Sequence, residues 1–168
     1  MPTSHYLSPV GIEDLFLYRV ARLHATAGAP VVRICEGGHG VTRREWRLLL
    51  VLAQYGAMSS SDLAQAAQLE WGLVSKTLGR LQTKGLVSRT PKPNDRRRVL
   101  IALTEKGTLV YQQVFPKVID INRTLLTVLS DSQLEQLDTI LSLLQQRADD
   151  PAWLDDLPKS QRRLGGRN

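Results

Sequence analysis

The 168-residue sequence predicts a mainly α-helical fold interrupted by one small β-hairpin. Three observations carry this. Apolar residues recur at helical spacing through most of the chain. Several of those stretches open on Ser or Thr with Glu, Asp or Gln three residues later, which is how a side chain satisfies the free amides of a helix start. The period switches to short β-prone runs only between about residues 86 and 104.

The first helical pattern runs from about Ile12 to Cys35, on Ile12, Leu15, Phe16, Val20 and Leu23. "EGGHG", with three glycines in residues 37–40, is expected to end it, because glycine is a poor helix former. Thr42 with Glu45 caps a second helix, whose inner face is Trp46, Leu49, Leu50 and Ala53. "SSSD" at 59–62 opens a short helix through about Gln68. "EWGLVSKTLGRLQTKG" spaces Leu73, Val74, Thr77, Leu78 and Leu81 helically, and Gly85 supplies its C-cap.

"LVSRTPK" and "VLIALT" flank "PNDRR", a hairpin with a long basic tip. Thr104 caps a long helix to about Leu129, with Pro116 inside it expected to kink or loosen a turn. Ser130 and Gln133 box the start of a last helix lined by Leu134, Leu137, Ile140, Leu141 and Leu144. From residue 149 onward the composition reads as a loosely ordered tail. Helix, helix, short helix, helix, hairpin, helix, helix is the layout of a winged helix-turn-helix. In such a unit one helix fills a DNA major groove and the hairpin reaches along the backbone or into the minor groove.

Composition bounds the rest. Hydrophobic residues make up 42% of the chain, enough for one domain with a real core. No apolar run reaches the length of a membrane span, and the first residues lack the pattern of a secretory leader. A single cysteine cannot form an internal disulfide, so a cytoplasmic location is expected. Charge is concentrated. Between Trp71 and Gly107 there are nine basic residues against Asp95 and Glu105, hence 9 − 2 = +7, while the whole chain carries +6. A basic window in a near-neutral frame is the footprint of a polyanion binder; a solubilising surface is the plainer alternative.

The residues expected to face DNA follow from this layout. They are Ser59, Ser61, Trp71, Gly72, Ser75, Lys76, Thr77, Arg80 and Lys84 on the helix pair, with Asp95, Arg96, Arg97 and Arg98 on the hairpin. Lys76 and Arg80 lie four apart on one helix face. Trp71 either stacks on sugar or base or tucks into the core or an interface, the last two being favoured. Asp95 is read as holding Arg97 in a carboxylate–guanidinium fork, leaving Arg96 and Arg98 for phosphates.

"DRRRVLIALTEKG" resembles the wing signature of the MarR family of bacterial transcription regulators, through Asp95, Arg97, Leu103, Thr104 and Gly107. "SDLAQAAQLEWGLVSKTLGRLQTKGLVSR" resembles that family's helix-turn-helix, although "EWGLVS" stands where small hydroxylated residues or proline are common. The resemblance covers roughly residues 11–146. It implies a homodimer on a pseudo-palindromic double-stranded operator, with residues 1–40 and 105–148 as a dimerisation layer around a DNA-binding domain at 41–104 and a tail at 149–168. It also implies a repressor released by a small aromatic carboxylate bound between those layers. The segment "CEGGHGVTRREWRLL" looks like regulators of aromatic-acid catabolism. Arg19, Arg22, His39, Arg43 and Trp46 are the candidate ligand contacts. The competing expectations are ion pairs across the dimer for Arg19 and Arg22, and a core position for Trp46.

Cys35 is read as a structural thiol, with a redox-sensing regulator as an alternative function. A winged-helix protein-interaction module is a second alternative. His5, His24, His39 and Cys35 have no metal-ligand spacing, and no nucleophile–base pair is legible, so neither enzyme nor cofactor is expected.

Overall fold

A computed structural model describes residues 5–92, 95–155 and 157–158, without the side chains of residues 92–98, 153 and 154. The chain divides into two compact units, residues 1–121 and 122–168. The first contains α1 (Phe16–Ala27), α2 (Ala29–Arg33), α3 (Arg43–Tyr55), α4 (Ser60–Ala66), α5 (Trp71–Thr83) and the hairpin β1 (Val87–Lys92) and β2 (Asp95–Leu103). The helix α6 (Glu105–Leu126) begins in the first unit and ends in the second, which also holds α7 (Asp131–Asp149).

The predicted caps are all present, as full boxes at Thr42 and Ser130, while the box expected at Ser59 is only a single amide bond to the cap. Thr42 accepts from the Glu45 amide while the Glu45 carboxylate accepts from the Thr42 amide, at 3.3 and 2.7 Å. Ser59 caps α4 through the Asp62 amide, and Ser130 caps α7 through the Gln133 amide. Thr104 accepts from the Gly107 amide at 3.0 Å, opening α6. The helix α6 runs unbroken past Pro116.

Two expectations need correction. The stretch Ile12–Cys35 is not one helix: a 3-10 turn at Ile12–Asp14 leads through extended Leu15 into α1, and α2 restarts beyond Gly28 with Pro30 in its first turn. Proline is tolerated there because the first amides of a helix have no intrahelical partner. Nor do Gly37 and Gly38 end the helix. They lie in a π-helical turn, Ile34–Gly38, closed by the His39 and Val41 amides, which both donate to the Cys35 carbonyl. Of the expected tail, a short 3-10 turn at Pro151–Leu154 is described, and residues 159–168 lie outside the described residues.

The core of the first unit is aliphatic. Leu48, Leu49 and Leu52 of α3 meet Leu63 of α4, Val74, Leu78 and Leu81 of α5, Leu86, Val87 and Ile101 of the hairpin, and Val114 of α6. Each such side chain contributes about 1.5–3 kcal/mol by leaving water. The hairpin is antiparallel and in register from Val87↔Leu103 to Pro91↔Val99. Lys92 then pairs with Asp95, so the three arginines fall inside a register shift. A bridge between Met58 and Ile101, through amide–carbonyl bonds of 3.1 and 2.8 Å, stitches β2 to the loop between α3 and α4.

Candidate nucleic-acid interface

The helix α5 buries Val74, Thr77, Leu78 and Leu81 and exposes Trp71, Gly72, Ser75, Lys76, Gly79 and Arg80. The exposed positions fall in two rows at intervals of four, Trp71–Ser75–Gly79 and Gly72–Lys76–Arg80, which together make the outward face of the helix. At its start, Glu70 is extended and makes no side-chain cap. Its carbonyl accepts from the Leu73 and Val74 amides. The Trp71 and Gly72 amides have no partner among the described residues, so the positive end of the helix dipole opens to solvent. The turn before it is tight: Gln68 adopts a left-handed conformation with φ 51°, and the Leu69 amide returns to the Ala64 carbonyl.

Two of the residues expected on this face, Thr77 and Lys84, behave otherwise, and Trp71 does not take the core position weighed for it. Trp71 is 61% exposed, so its indole is not in the core. It precedes the first inward position of α5, Val74, and among the described residues it stays mostly in solvent. Thr77 is buried and its hydroxyl donates to the Leu73 carbonyl at 2.8 Å, which removes it from the DNA-facing set. Lys84 is also committed inward. Its ammonium donates to both Glu45 carboxylate oxygens, at 2.9 and 2.7 Å, and to the Gly40 carbonyl at 2.8 Å. The remaining helix candidates keep exposed or half-exposed positions. Ser59 is spent as a cap and bonds Ser61 at 2.8 Å. Asp95, Arg96, Arg97 and Arg98 lie on β2, but their side chains are outside the described residues, as is the expected Asp95–Arg97 fork.

The Glu45–Lys84 pair bolts the end of α5 to the start of α3. The Glu45 side chain is 1% exposed and that of Lys84 is 37% exposed. Burial alone pushes the Glu45 carboxyl up, but hydrogen bonds from Lys84 and the Thr42 amide, with the Lys84 charge, hold it below its ordinary 4.5. Behind this pair, the C-terminus of α5 is tied to the wing and to α6. Lys106 donates to the Lys84 carbonyl at 2.9 Å, and the Thr104 hydroxyl donates to the Gly85 carbonyl at 2.7 Å. Gly85 sits at φ +69°, the conformation its C-cap position demands. A Cβ on Gly107 would lie 2.0 Å from the Leu86 carbonyl oxygen, so only glycine fits where α6 crosses the strand entry.

The five ligand candidates do not assemble into one site. Arg19 and Arg22 line an open cavity of about 630 Å3 with Glu13, Leu23 and Thr26. Arg22 pairs within the chain to Glu13 at 2.8 Å, and Arg19 donates to the Tyr6 hydroxyl at 2.7 Å. Arg43 lies against the His24 ring. His39 is half-buried, and its Nε2 has no hydrogen-bond partner among the described residues. Trp46 is 5% exposed and stacks on Tyr111, which stacks on Phe115, with ring centroids 6.0 and 5.0 Å apart. Trp46 is therefore a core residue, because its place on the inner face of α3 is filled from α6.

Cys35 is fully buried, and burial with the neighbouring Glu36 charge pushes its thiol up to about 11. Peroxide attacks an accessible thiolate, so a buried, protonated thiol favours the structural role for Cys35 over redox sensing. Native protein is expected to resist iodoacetamide at neutral pH and to react fully once unfolded; rapid labelling of the native form would contradict this burial.

A tight helical turn feeding an outward helix, with a hairpin stitched beside it, defines a winged helix-turn-helix regulator. The MarR family profile matches residues 41–99. The organic hydroperoxide resistance transcriptional regulator of Bacillus subtilis is 30% identical over 113 residues, 64% of this chain and 74% of that one. The homoprotocatechuate degradative operon repressor of Escherichia coli is 28% identical over 103 residues, 61% and 70% of the two chains. The transcriptional regulator FarR of Neisseria gonorrhoeae is 35% identical over 78 residues, 46% of this chain but only 53% of its own length. Among solved structures, Bordetella bronchiseptica BpsR, whose DNA binding is regulated by 6-hydroxynicotinic acid, superposes with a TM-score of 0.71 at 22% identity, over 84% of this chain and 99% of BpsR. The chain belongs to the MarR family and is a transcriptional regulator of that type.

Proposed function

We propose that the protein is a homodimeric repressor that reads a pseudo-palindromic operator and is released by a small aromatic acid. The observation that carries the reading is the outward strip of α5, where Ser75, Lys76 and Arg80 stand exposed beside an open helix N-terminus. Lysine and arginine match phosphates and guanine edges, and the free amides suit a phosphate oxygen. Arg89 on β1 is exposed as well, and three further arginines, Arg96, Arg97 and Arg98, follow in the sequence of β2.

The dimer is supported by apolar side chains left in water. Leu15, Phe16, Leu17, Val20 and Leu23 near the N-terminus, and Ile140, Leu141, Leu143 and Leu144 on α7, are all exposed in the single chain. Exposed apolar surface of this kind on each unit marks partner-binding surfaces, and a second copy of the chain satisfies them with closed symmetry. An aromatic acid as effector is supported by the names and chemistry of the relatives and by Arg19 and Arg22 sharing one cavity. Both guanidiniums can be recruited by a carboxylate, since their present partners are exposed. A ligand bound there lowers DNA affinity by favouring a different spacing of the two reading helices.

Fluorescence anisotropy with duplexes selected by the protein tests the reading. Affinity is expected to fall steeply with salt, as phosphate contacts release counterions, and a flat salt dependence would remove the basic window from the interface. Arg97→Ala is expected to cost about 1–3 kcal/mol of binding free energy, and an unchanged titration would remove the wing.

A further inference from the structure

Trp71 is the one feature of the reading strip that the charge argument leaves unexplained. It is the first residue of α5, 61% exposed, in one row with Ser75 and Gly79 and beside the row of Lys76 and Arg80 on the outward face. Building on the DNA-binding reading above, we propose that Trp71 reads the 5-methyl group of thymine in the major groove and favours a thymine at one position of each half-site.

In a duplex the base faces are stacked and out of reach, so a side chain entering the groove meets only base edges. Those edges are polar apart from one apolar group, the thymine methyl. An indole at the leading end of an inserted helix is the largest apolar surface available to cover it. Lys76 and Arg80, one and two turns further on, offer charge instead, which suits guanine edges and phosphates.

The neighbouring glycines support a close approach. A Cβ at Gly72 or Gly79 would meet no atom of this chain within 4 Å, and neither residue has a positive φ. Nothing inside the protein therefore requires glycine there, although glycine weakens a helix interior. Their bare backbone leaves room on the strip next to Trp71, so the helix can seat deeply enough for the indole to reach the edges.

The test uses duplexes selected by the full chain from a randomised pool, then copies with single thymine→uracil replacements, which delete only the methyl. Wild-type affinity is expected to drop about 4-fold at one position per half-site, the worth of one buried methyl. Trp71→Ala should lose about 10-fold overall and become indifferent to that replacement. Trp71→Leu, still apolar, should keep part of the uracil sensitivity. Because Trp71 is exposed, both variants should melt as wild type does; a lower midpoint in one leaves the comparison of thymine with uracil duplexes valid within the other. A wild type indifferent to every uracil copy, or a Trp71→Ala variant as sensitive as wild type, would overturn the proposal while leaving DNA binding intact. If the wild type enriches no sequence at all, the DNA reading of α5 falls and this inference falls with it.

Discussion

Lys84→Met is expected to lower the unfolding free energy by about 3 kcal/mol, because it strands a buried carboxylate while keeping the apolar stem. Glu45 is almost fully enclosed and both its oxygens accept from Lys84, so no water replaces the ammonium. The Gly40 carbonyl loses its donor in the same step. Denaturant titration at fixed protein concentration reads the change, with concentration held constant because the proposed dimer couples assembly to stability. A variant within experimental error of wild type would mean that the pair contributes nothing. Well below its melting point, the same variant should bind DNA almost as wild type does, which separates a bolt from a DNA contact.

The pair also sets an acid limit. A carboxyl held below its ordinary 4.5 in the folded chain adds stability above that pH and loses it as pH falls through the folded value. Glu45→Gln keeps the cap geometry but removes the charge. It should be less stable than wild type at neutral pH, and the two should converge as pH drops below about 4.5. Parallel curves down to the acid transition would show that Glu45 is not the group responsible.

Gly107→Ala is the second large effect, expected to cost about 3 kcal/mol, at the upper end for overpacking. The clash is with backbone rather than with a flexible side chain: the new Cβ would sit 2.0 Å from the Leu86 carbonyl oxygen, with Leu103 close behind. Relief requires α6 to move off the entry to β1, which loosens the Thr104–Gly85 and Lys106–Lys84 bonds that align α5 with the wing. Gly107→Ala should therefore weaken operator binding as well as stability. A variant of wild-type melting point would contradict this crossing.

The wing motif thus has a double content. Thr104 and Gly107 are there for the joint between reading helix, hairpin and α6, whereas the arginines are assigned to DNA in the proposed function. Sequence spacing showed both as one signature, since spacing records that residues recur and not what each one touches.

The element order, the caps at Thr42, Ser59, Thr104 and Ser130, and the apolar faces of α3 and α5 were legible from sequence alone, because they depend on neighbours within four residues. So was the basic window, which is a count. The fates of single side chains were decided only in three dimensions. Thr77 and Lys84 read as DNA contacts until the fold turned one into the core and paired the other with a residue 39 positions away. A signal for the partner did exist: Glu45 stands three and four residues before Leu48 and Leu49, on the inner face of α3, where a charge requires an ion pair. For Trp71, weighed between a DNA contact and a core or interface place, the structure removes only the core, because at the first turn of α5 the indole stays mostly in solvent. Local rules determined which segments form helices and strands. Tertiary packing determined which charges reach the surface, because a partner distant in sequence leaves no periodic trace.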